Sequence, residues 1–258
     1  ILGISCGFHD SAACLLRNGK VVSACEEERF TGIKHDFSFP HNTINWILES
    51  NSITKEDIDV ICFYESPQEK LDRIQKSTSK KPKRWYETFS NKNTILERNE
   101  ESYKSLLKDI EKIKGKKTKI SFSTHHSSHL AYSYYTSPFD SSAILSVDGV
   151  GEWKTTSLGV GKDNKISHLA TLPMEFNPGV FWSNFTKQVF GLSTGPPMGN
   201  QCGTVMGMAA LGDKTKYAEE IYSDSAFFQM HGFDFGKYAE IAQKGEQEQF
   251  DLAAGLQD

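Results

Sequence analysis

Residues 1–24, ILGISCGFHDSAACLLRNGKVVSA, contain three apolar, strand-like runs joined by two short polar turns. The second turn is Asn18-Gly19, and Asn-Gly between two strand-like runs is the strongest short-range signal for a hairpin. The stretch therefore predicts a β-meander at the start of the chain.

The same order of features returns at residues 143–169, AILSVDGVGEWKTTSLGVGKDNKISHL. Each copy has an apolar strand, a tight turn with glycine and an acidic residue, a second strand, a polar turn and a third strand. Two copies of one unit, each followed by helices, predict a duplicated α/β architecture with two lobes facing a cleft. Because hairpins are common, a chance likeness between two meanders is the alternative.

We expect the first lobe at residues 1–140 and the start of a second lobe at residues 141–258. Hydrophobic periodicity predicts the other elements. The predicted strands lie at 59–65 and 119–126, the predicted helices at 41–51, 129–137, 182–191 and from Lys214 to about Tyr222, with a helical start at 249–257, and the predicted loop at 193–213.

Within the first lobe, the segment Ser66–Lys119 is predicted as a basic insert of two or three helices. It holds sixteen Lys and Arg against eight Asp and Glu, although the whole chain has a net charge of −4. Such a segment can bind nucleic acid or another polyanion. Acidic and basic residues alternate in it without a pattern of aromatic residues for stacking, which favours a solvated helical excursion and argues against nucleic acid.

Composition favours a globular protein without a membrane span, because no run of eighteen apolar residues is present. The five cysteines are scattered through apolar runs without a CxxC motif, which indicates buried thiols in a cytoplasmic protein. The chain begins with Ile rather than Met, and the second lobe is short. We therefore expect a fragment of a longer protein.

The stretch THHSSHLAYS, residues 124–133, places three histidines within five positions at the junction of a strand and a helix. On a helix, His125 and His129 share a face and can bind one ion, and neutral imidazole suits Zn, Fe, Ni or Cu. A further ligand must come from elsewhere. His126 lies about 100° round the helix and is a candidate for an outer contact or a substrate contact. The alternative is a trio of solvated or core histidines.

Two stretches near the N-terminus combine glycines with polar residues. In GISCGFHDSAA, residues 3–13, Gly7 permits close approach of a phosphate to the backbone, and His9 with Asp10 can supply or orient a general base. A structural turn with a polar tip is the alternative. In EEERFTGIKHDFSFP, residues 26–40, the cation of Lys34 is a candidate clamp for phosphate or carboxylate, and an ion-paired loop is the alternative.

In SVDGVGEW, residues 146–153, we expect Asp148, Gly149 and Gly151 at the end of a strand, where the backbone can approach a nucleotide phosphate. Asp148 and Glu152 are candidates for holding a metal ion or orienting a hydroxyl group. An isolated Asp-Gly turn is weak evidence for such a site. The predicted duplication, which pairs this turn with the one at residues 3–10, makes the evidence stronger.

These stretches together resemble the NodU/CmcH family of O-carbamoyltransferases, which includes tobramycin and cephalosporin carbamoyltransferases. The resemblance also rests on DVICFYE and VMGMAALG, and it covers nearly the whole chain in order. It implies an actin/Hsp70/sugar-kinase-like (ribonuclease H-like) fold, of which the second lobe is incomplete here. It also implies a YrdC-like domain after this chain, which makes carbamoyl-adenylate from carbamoyl phosphate and ATP. The first domain then passes the carbamoyl group to an alcohol of a small molecule.

The resemblance also implies roles for residues. His125 and His129 match the metal-binding histidines, with Fe(II) or another divalent ion, and the usual third ligand, an aspartate, would lie beyond Asp258. His9 and Asp10 match the segment beside the acceptor. Lys34 matches a lysine near the acyl phosphate, and Asp148 matches a loop that faces the ligand. Apart from the resemblance, we expect Gly7, Gly149 and Gly151 at the nucleotide, Mg²⁺ as an additional cofactor and a homodimer as the assembly.

One stretch departs from the family pattern. Thr204 stands where relatives carry lysine, and Gln201 and Cys202 replace Gly-Glu. A tRNA threonylcarbamoyl-type transferase, a sugar or acetate-type kinase and a non-catalytic module are the alternatives. The transferase would retain the metal histidines, whereas the kinase requires a catalytic aspartate with Mg²⁺ and has no use for them.

Overall fold

The opening meander forms as predicted, with three strands that pair in chain order. A computed structural model of the chain describes residues 1–79, 92–195, 199–225 and 232–258. The meander consists of β1 (Leu2–Ser5), β2 (Ala12–Arg17) and β3 (Lys20–Glu26). Asn18 and Gly19 join β2 to β3 with positive φ angles of 52° and 77°, the combination that a two-residue type I′ hairpin turn requires.

Two parallel strands extend this meander into a five-stranded sheet of order β3-β2-β1-β4-β5. They are β4 (Val60–Phe63) and β5 (Lys119–Phe122), and β1, β4 and β5 run in the same direction. Inward-facing side chains of β1, β2 and β4 form the core together with apolar residues of the surrounding helices. The buried members of this core include Leu2, Ile4, Ala13, Leu15, Ile44, Ile47, Ile61, Phe63 and Ile110.

The helices around this sheet are α1 (Glu28–Thr31), α2 (His41–Ser50), α3 (Pro67–Ser79) and α4 (Lys92–Ile113), with a 3₁₀ turn at Lys55–Asp57. The N-terminus of α2 is held by the buried carboxylate of Glu27, which accepts hydrogen bonds from the backbone N–H of Asn42 and Thr43. A carboxylate is favourable there because the first N–H groups of a helix have no partner inside it. The predicted helical insert includes α3 and α4, while its residues 80–91 lie outside the described residues.

A second sheet contains three antiparallel strands in chain order. They are β6 (Ser141–Gly151), β7 (Lys154–Lys162) and β8 (Lys165–Pro173), as the second predicted meander requires. Leu130 and Tyr134 of the helix α5 (His125–Tyr135) form a small core with Ile144 of β6.

The remaining elements form a helical layer with an aromatic core. They are α6 (Pro178–Gln188), β9 (Ser193–Gly195), β10 (Gly199–Asn200), α7 (Cys202–Ala209), α8 (Ala218–Ser225), α9 (Phe235–Ala242) and α10 (Glu246–Gln257). Phe181, Phe185 and Tyr238 are fully buried in this core, and the rings of Phe233 and Tyr238 stack with centroids 5.3 Å apart.

Several sequence predictions in this part of the chain were wrong in detail, and the helix predicted at 182–191 runs from Pro178 to Gln188. β6 continues through Asp148 to Gly151, so the turn lies at Glu152-Trp153, with Glu152 at a φ of 48°. α7 forms inside the predicted loop, because burial of Val205 in the core outweighs the cost of its glycines. The predicted helix from Lys214 begins later, at Ala218.

The chain divides into two compact units, Ile1–His129 and Leu130–Asp258, whereas the sequence placed the boundary at residue 140. The architecture is mixed α/β, and the identity of the two units as actin-like lobes remains a prediction. Among the described residues, no helix combines the length and the apolar character needed to cross a membrane.

Candidate active site and metal centre

Three segments with chemistry-bearing residues follow the three parallel strands of the first unit. The strand register aligns Ile4 with Phe63 and Phe63 with Phe122, so the carboxyl ends of β1, β4 and β5 lie at one edge of the sheet. The segment after β1 leads to His9 and Asp10, the one after β4 to Glu65, and the one after β5 to His125. Open α/β sheets bind ligands at this edge.

His125 begins α5, and His129 follows one helical turn later. Their Nε2 atoms are 3.0 Å apart. Because a nitrogen ligand lies at roughly 2.1 Å from its ion, two nitrogens less than about 4.2 Å apart can both reach one ion. The observed separation also allows one neutral ring to donate an N–H hydrogen bond to the other. The structure therefore brings the two predicted ligands together, each offering one nitrogen.

Glu65 lies beside His125 and was not identified from the sequence. Its Oε2 is 3.7 Å from Nδ1 of His125, and its Oε1 accepts a hydrogen bond of 2.7 Å from Lys70 Nζ. Burial opposes ionisation of the carboxyl group, but His125 and Lys70 outweigh it and lower the pKa of Glu65. The sequence feature that could have identified Glu65 is its position as an acidic residue near the end of a buried strand.

His126 is fully buried, with its ring centroid 5.8 Å from that of His125 and 6.0 Å from that of His129. This burial fits a core histidine rather than a group that contacts a substrate. Of the three histidines, His126 therefore lies in the core, His125 is partly buried and His129 is exposed.

A second group joins His9, Asp10 and His35. Asp10 Oδ2 is 2.7 Å from Nδ1 of His9, and Oδ1 is 2.9 Å from Nδ1 of His35. Burial would raise the pKa of Asp10, but the hydrogen bonds with His35 and His9 lower it. The carboxylate is therefore ionised near neutral pH and bridges two imidazoles. The sequence stretch around Lys34 contained His35, but no pattern connected it with Asp10.

Lys34 lies on the same loop with its side chain 69% exposed. Its Nζ is 3.4 Å from the largely buried carboxylate of Glu28, which Arg29 also approaches at 3.3 Å. These contacts are those of the ion-paired loop that the sequence allowed. The exposed ammonium group of Lys34 still faces solvent, and its role as a phosphate clamp stays a prediction.

A cavity of about 290 Å³ lies in the first unit between the sheet edge and the helices α3 and α4. Gly7 and Glu65 line it from the strand ends, and Lys70 and Asp109 line it from the helices. Its other walls are mainly apolar and aromatic: Cys6, Phe37, Phe39, Phe63, Leu71, Tyr103 and Leu106. Burial raises the pKa of Cys6 to about 12, so its thiol stays neutral.

In the second unit, the predicted nucleotide-facing residues lie within β6. Asp148 Oδ1 accepts a hydrogen bond of 2.7 Å from the backbone N–H of Gly149. A Cβ atom added at Gly179, near the start of α6, would lie 2.7 Å from Gly149 Cα. Close packing of α6 is thus a structural reason for small residues here, and the nucleotide role of Gly149 and Gly151 stays a prediction.

Thr204, which the sequence led us to expect in place of a lysine of related proteins, lies in α7 and donates a hydrogen bond of 3.4 Å to Gln201 Oε1. Gln201, also an expected departure, is therefore its partner at the start of the helix.

A family model and two related proteins each match most of the chain. A family model described as the carbamoyltransferase N-terminus matches residues 1–256. An uncharacterized protein of Synechocystis is 36% identical over 226 residues, which covers 86% of this chain and 36% of that protein. Nodulation protein NolNO of Sinorhizobium fredii is 29% identical over 266 residues, 97% of this chain and 36% of NolNO. The chain thus spans about a third of the length of these relatives.

A solved structure from Porphyromonas gingivalis, described as a candidate N-acetylglucosamine kinase, aligns with 98% of this chain and 76% of its own at 12% identity. Its TM-score of 0.31 is too low to support an argument about the fold. The family assignment rests on the sequence match, which spans both units and includes both histidine groups. The chain belongs to the family of carbamoyltransferase N-terminal domains.

Proposed function

We propose that this chain transfers a carbamoyl group to a hydroxyl group of a small-molecule alcohol. The observation that carries the proposal is the family match over residues 1–256. The geometry supports it, because the first unit places a carboxylate-bound histidine and a pair of potential metal ligands after parallel strands of one sheet.

The donor in this proposal is carbamoyl-adenylate, made from carbamoyl phosphate and ATP. The acceptor oxygen attacks the carbamoyl carbon, the bond from that carbon to the phosphate oxygen breaks, and AMP leaves. The hydroxyl proton passes to His9 Nε2, because Asp10 occupies the other nitrogen of the ring. A histidine so oriented is a suitable general base near neutral pH.

A divalent metal fits the donor set of His125 and His129, since two neutral imidazole nitrogens 3.0 Å apart suit Fe(II) or a similar ion. When bound, such an ion supplies a Lewis acid for a carbonyl oxygen that gains negative charge. Glu65 would orient His125 by facing its other nitrogen, as carboxylates commonly do for metal-binding histidines. The aspartate expected beyond Asp258 remains a proposed additional ligand.

The cation of Lys34 would assist the departure of AMP by stabilising charge on its phosphate. Its long exposed side chain, paired with Glu28 at 3.4 Å, can exchange that partner for a phosphate group. Asp148, Gly149 and Gly151 are proposed to face the nucleotide, and Mg²⁺ is an additional proposed cofactor. A cytoplasmic location and a homodimeric assembly are also proposals.

The proposed architecture is a pair of actin/Hsp70/sugar-kinase-like lobes. In the first unit, an antiparallel meander is followed by two parallel strands, and this order supports the proposal. In the second unit, the sheet of β6, β7 and β8 matches the three antiparallel strands of the first sheet and has no counterpart of its two parallel strands among the described residues.

Product analysis tests the proposal. The protein is supplied with carbamoyl-adenylate and a panel of alcohols, and AMP release and product mass are measured. Parallel assays supply tRNA with carbamoyl-adenylate, and the same alcohols with ATP and Mg²⁺. We expect AMP release that depends on the alcohol, together with a carbamate ester. A carbamoylated tRNA adenosine or an acceptor phosphorylated from ATP would instead favour one of the two alternative enzymes.

A further inference from the structure

Asp10 and His35 both have an uncommon backbone conformation and contact each other. Their φ angles are 48° and 56°, in the left-handed region that residues with a side chain rarely adopt. Asp and His adopt this region more often than other residues with a side chain, and at such contacts it persists where the surrounding structure enforces it. The Asp10–His35 contact at 2.9 Å joins two segments that are far apart in sequence.

The surrounding backbone fixes both segments. Gly7 donates its backbone N–H to Phe37 O at 2.9 Å, and Ser11 donates its own to Asp36 O at 2.7 Å. These two bonds bracket Asp10 on one segment and reach the residues that follow His35 on the other. The backbone N–H of His35 is also bound, by Glu28 Oε2 at 3.0 Å. These backbone hydrogen bonds therefore hold the ring of His35 next to Asp10.

The hydrogen bonds determine which ring nitrogen carries the proton. An ionised carboxylate can only accept, so the Nδ1 atoms of His9 and His35 must both donate to Asp10. Each neutral ring then has its unprotonated nitrogen at Nε2. Because His35 occupies Oδ1, the carboxylate cannot rotate freely, and Oδ2 stays directed at His9.

We propose that His35 is a positioning residue that, through Asp10, holds His9 in the tautomer with Nε2 unprotonated. The benefit to catalysis rests on the proposed function, in which Nε2 of His9 takes the acceptor's proton. The tautomer itself does not depend on that function.

The alternative is that His35 only fastens its loop. The side chain of His9 is 59% exposed, and Asp10 is its hydrogen-bonding neighbour. If His35 only stabilises its loop, its removal would destabilise the loop but leave the proton of His9 on Nδ1. If His35 orients Asp10, its removal would also shift the proton of His9 from Nδ1 toward Nε2.

Nitrogen NMR of the histidine rings distinguishes these cases. The protein is labelled with ¹⁵N-histidine and measured at about pH 9, where imidazole is neutral. His9→Gln and His35→Gln assign the two rings. We expect both rings in wild type to show a protonated Nδ1 and an unprotonated Nε2, and we expect His35→Phe to shift His9 toward the opposite tautomer.

His35→Gln serves as the rescue, because its amide N–H can still donate to Asp10 and should restore part of the wild-type tautomer. His168→Phe, at an exposed position on β8, is the control and should leave His9 unchanged. A wild-type His9 protonated at Nε2, or a tautomer unaffected by His35→Phe, would overturn the proposal. If His35→Phe does not fold, His35→Leu takes its place, because it also removes the donor to Asp10 Oδ1, and an unchanged His9 tautomer in that variant would overturn the proposal.

Activity provides a separate readout. If His9 changes tautomer and the rate of carbamoyl transfer does not fall, the assignment of His9 as the base fails while its coupling to His35 stands. If no carbamoyl transfer is found for any protein, the spectra still report on His35.

Discussion

At the scale of single residues, the first unit holds two groups of histidines, each beside a carboxylate. Asp10 bridges His9 and His35, and Glu65 faces His125. Both carboxyl groups have a lowered pKa, so both carry negative charge where a histidine must be oriented. The two groups differ in exposure, since Glu65 is buried while His9 faces solvent. This contrast suits a buried support for a metal ligand and an exposed base for an incoming alcohol.

Removal of both imidazoles should abolish metal binding. The variant His125→Ala/His129→Ala loses both Nε2 atoms, so we expect metal analysis to find less than a tenth of the wild-type divalent metal. His41→Ala is the matched control, because His41 is an exposed histidine on α2. Unchanged metal content in the double variant would refute the ligand assignment.

Glu65→Gln should weaken metal binding without removing a ligand. Loss of a carboxylate that supports a metal-binding histidine typically costs about 10–100-fold in affinity. Competition titration with a chelating dye measures this effect. Asp109→Asn changes a different carboxylate of the same cavity and should leave the affinity within about twofold, because Asp109 contacts His41 and Lys112 rather than His125. Equal effects of the two substitutions would contradict the assigned role of Glu65.

At the scale of the elements, close approaches between backbone and side chains decide where helices lie. A Cβ atom at Gly161 on β7 would collide with the ring of Tyr134 on α5, whereas a Cβ atom at Gly207 on α7 meets nothing within 4 Å. The sequence predicted β7 and α5 from periodicity, but periodicity carries no information on which glycine lets the two pack. α7 was missed for a related reason, since burial of Val205 has no local signature.

The two glycines should respond to alanine with opposite signs. Gly161→Ala forces the ring of Tyr134 aside and should lower the free energy of unfolding by about 1–3 kcal/mol. Gly207→Ala relieves the entropic cost of a helical glycine and should raise it by roughly 0.5–1 kcal/mol. Urea denaturation of both variants measures the two changes. Destabilisation by Gly207→Ala would show that α7 is packed more closely than described.

Asp251 of α10 binds the turn that precedes α8, and the stability of this contact should depend on pH. Asp251 Oδ1 accepts from the backbone N–H of Asp213 at 2.8 Å, and Oδ2 lies 3.0 Å from Lys216 Nζ. The hydrogen bond from Asp213 is the main cause that lowers the pKa of Asp251 in the folded state. The stabilisation is therefore full above the unfolded pKa of about 3.9 and is lost as pH falls through the lower folded pKa.

The variant Asp251→Asn tests this dependence. It should lower the free energy of unfolding by about 1–3 kcal/mol at pH 7, because the charge-assisted bonds are weakened. The difference from wild type should shrink below pH 4 as the wild-type carboxylate is protonated. Denaturant titrations at several pH values measure it, and a difference that stays constant with pH would contradict the account.

At the scale of the whole molecule, the sequence predicted a mixed α/β chain with two meanders, and the structure has both. The hairpin at Asn18-Gly19 and the approach of His125 to His129 could be predicted from the sequence, because both depend only on residues close together in the chain. Glu65 and His35 were not identified as partners, because strand register and loop contacts bring them to His125 and Asp10. The family match over residues 1–256 is the basis on which we propose that these groups act in carbamoyl transfer.

The most direct measurement of that claim is the rate of carbamoyl transfer from carbamoyl-adenylate to an alcohol acceptor by wild type, His9→Gln and His168→Gln. A positioned general base typically contributes about 10²–10⁴-fold to the rate. We expect His9→Gln to lose a factor in that range in kcat with little change in KM for the donor, and His168→Gln to match wild type. Transfer by His9→Gln at the wild-type rate, or no transfer by wild type to any alcohol, would contradict the account.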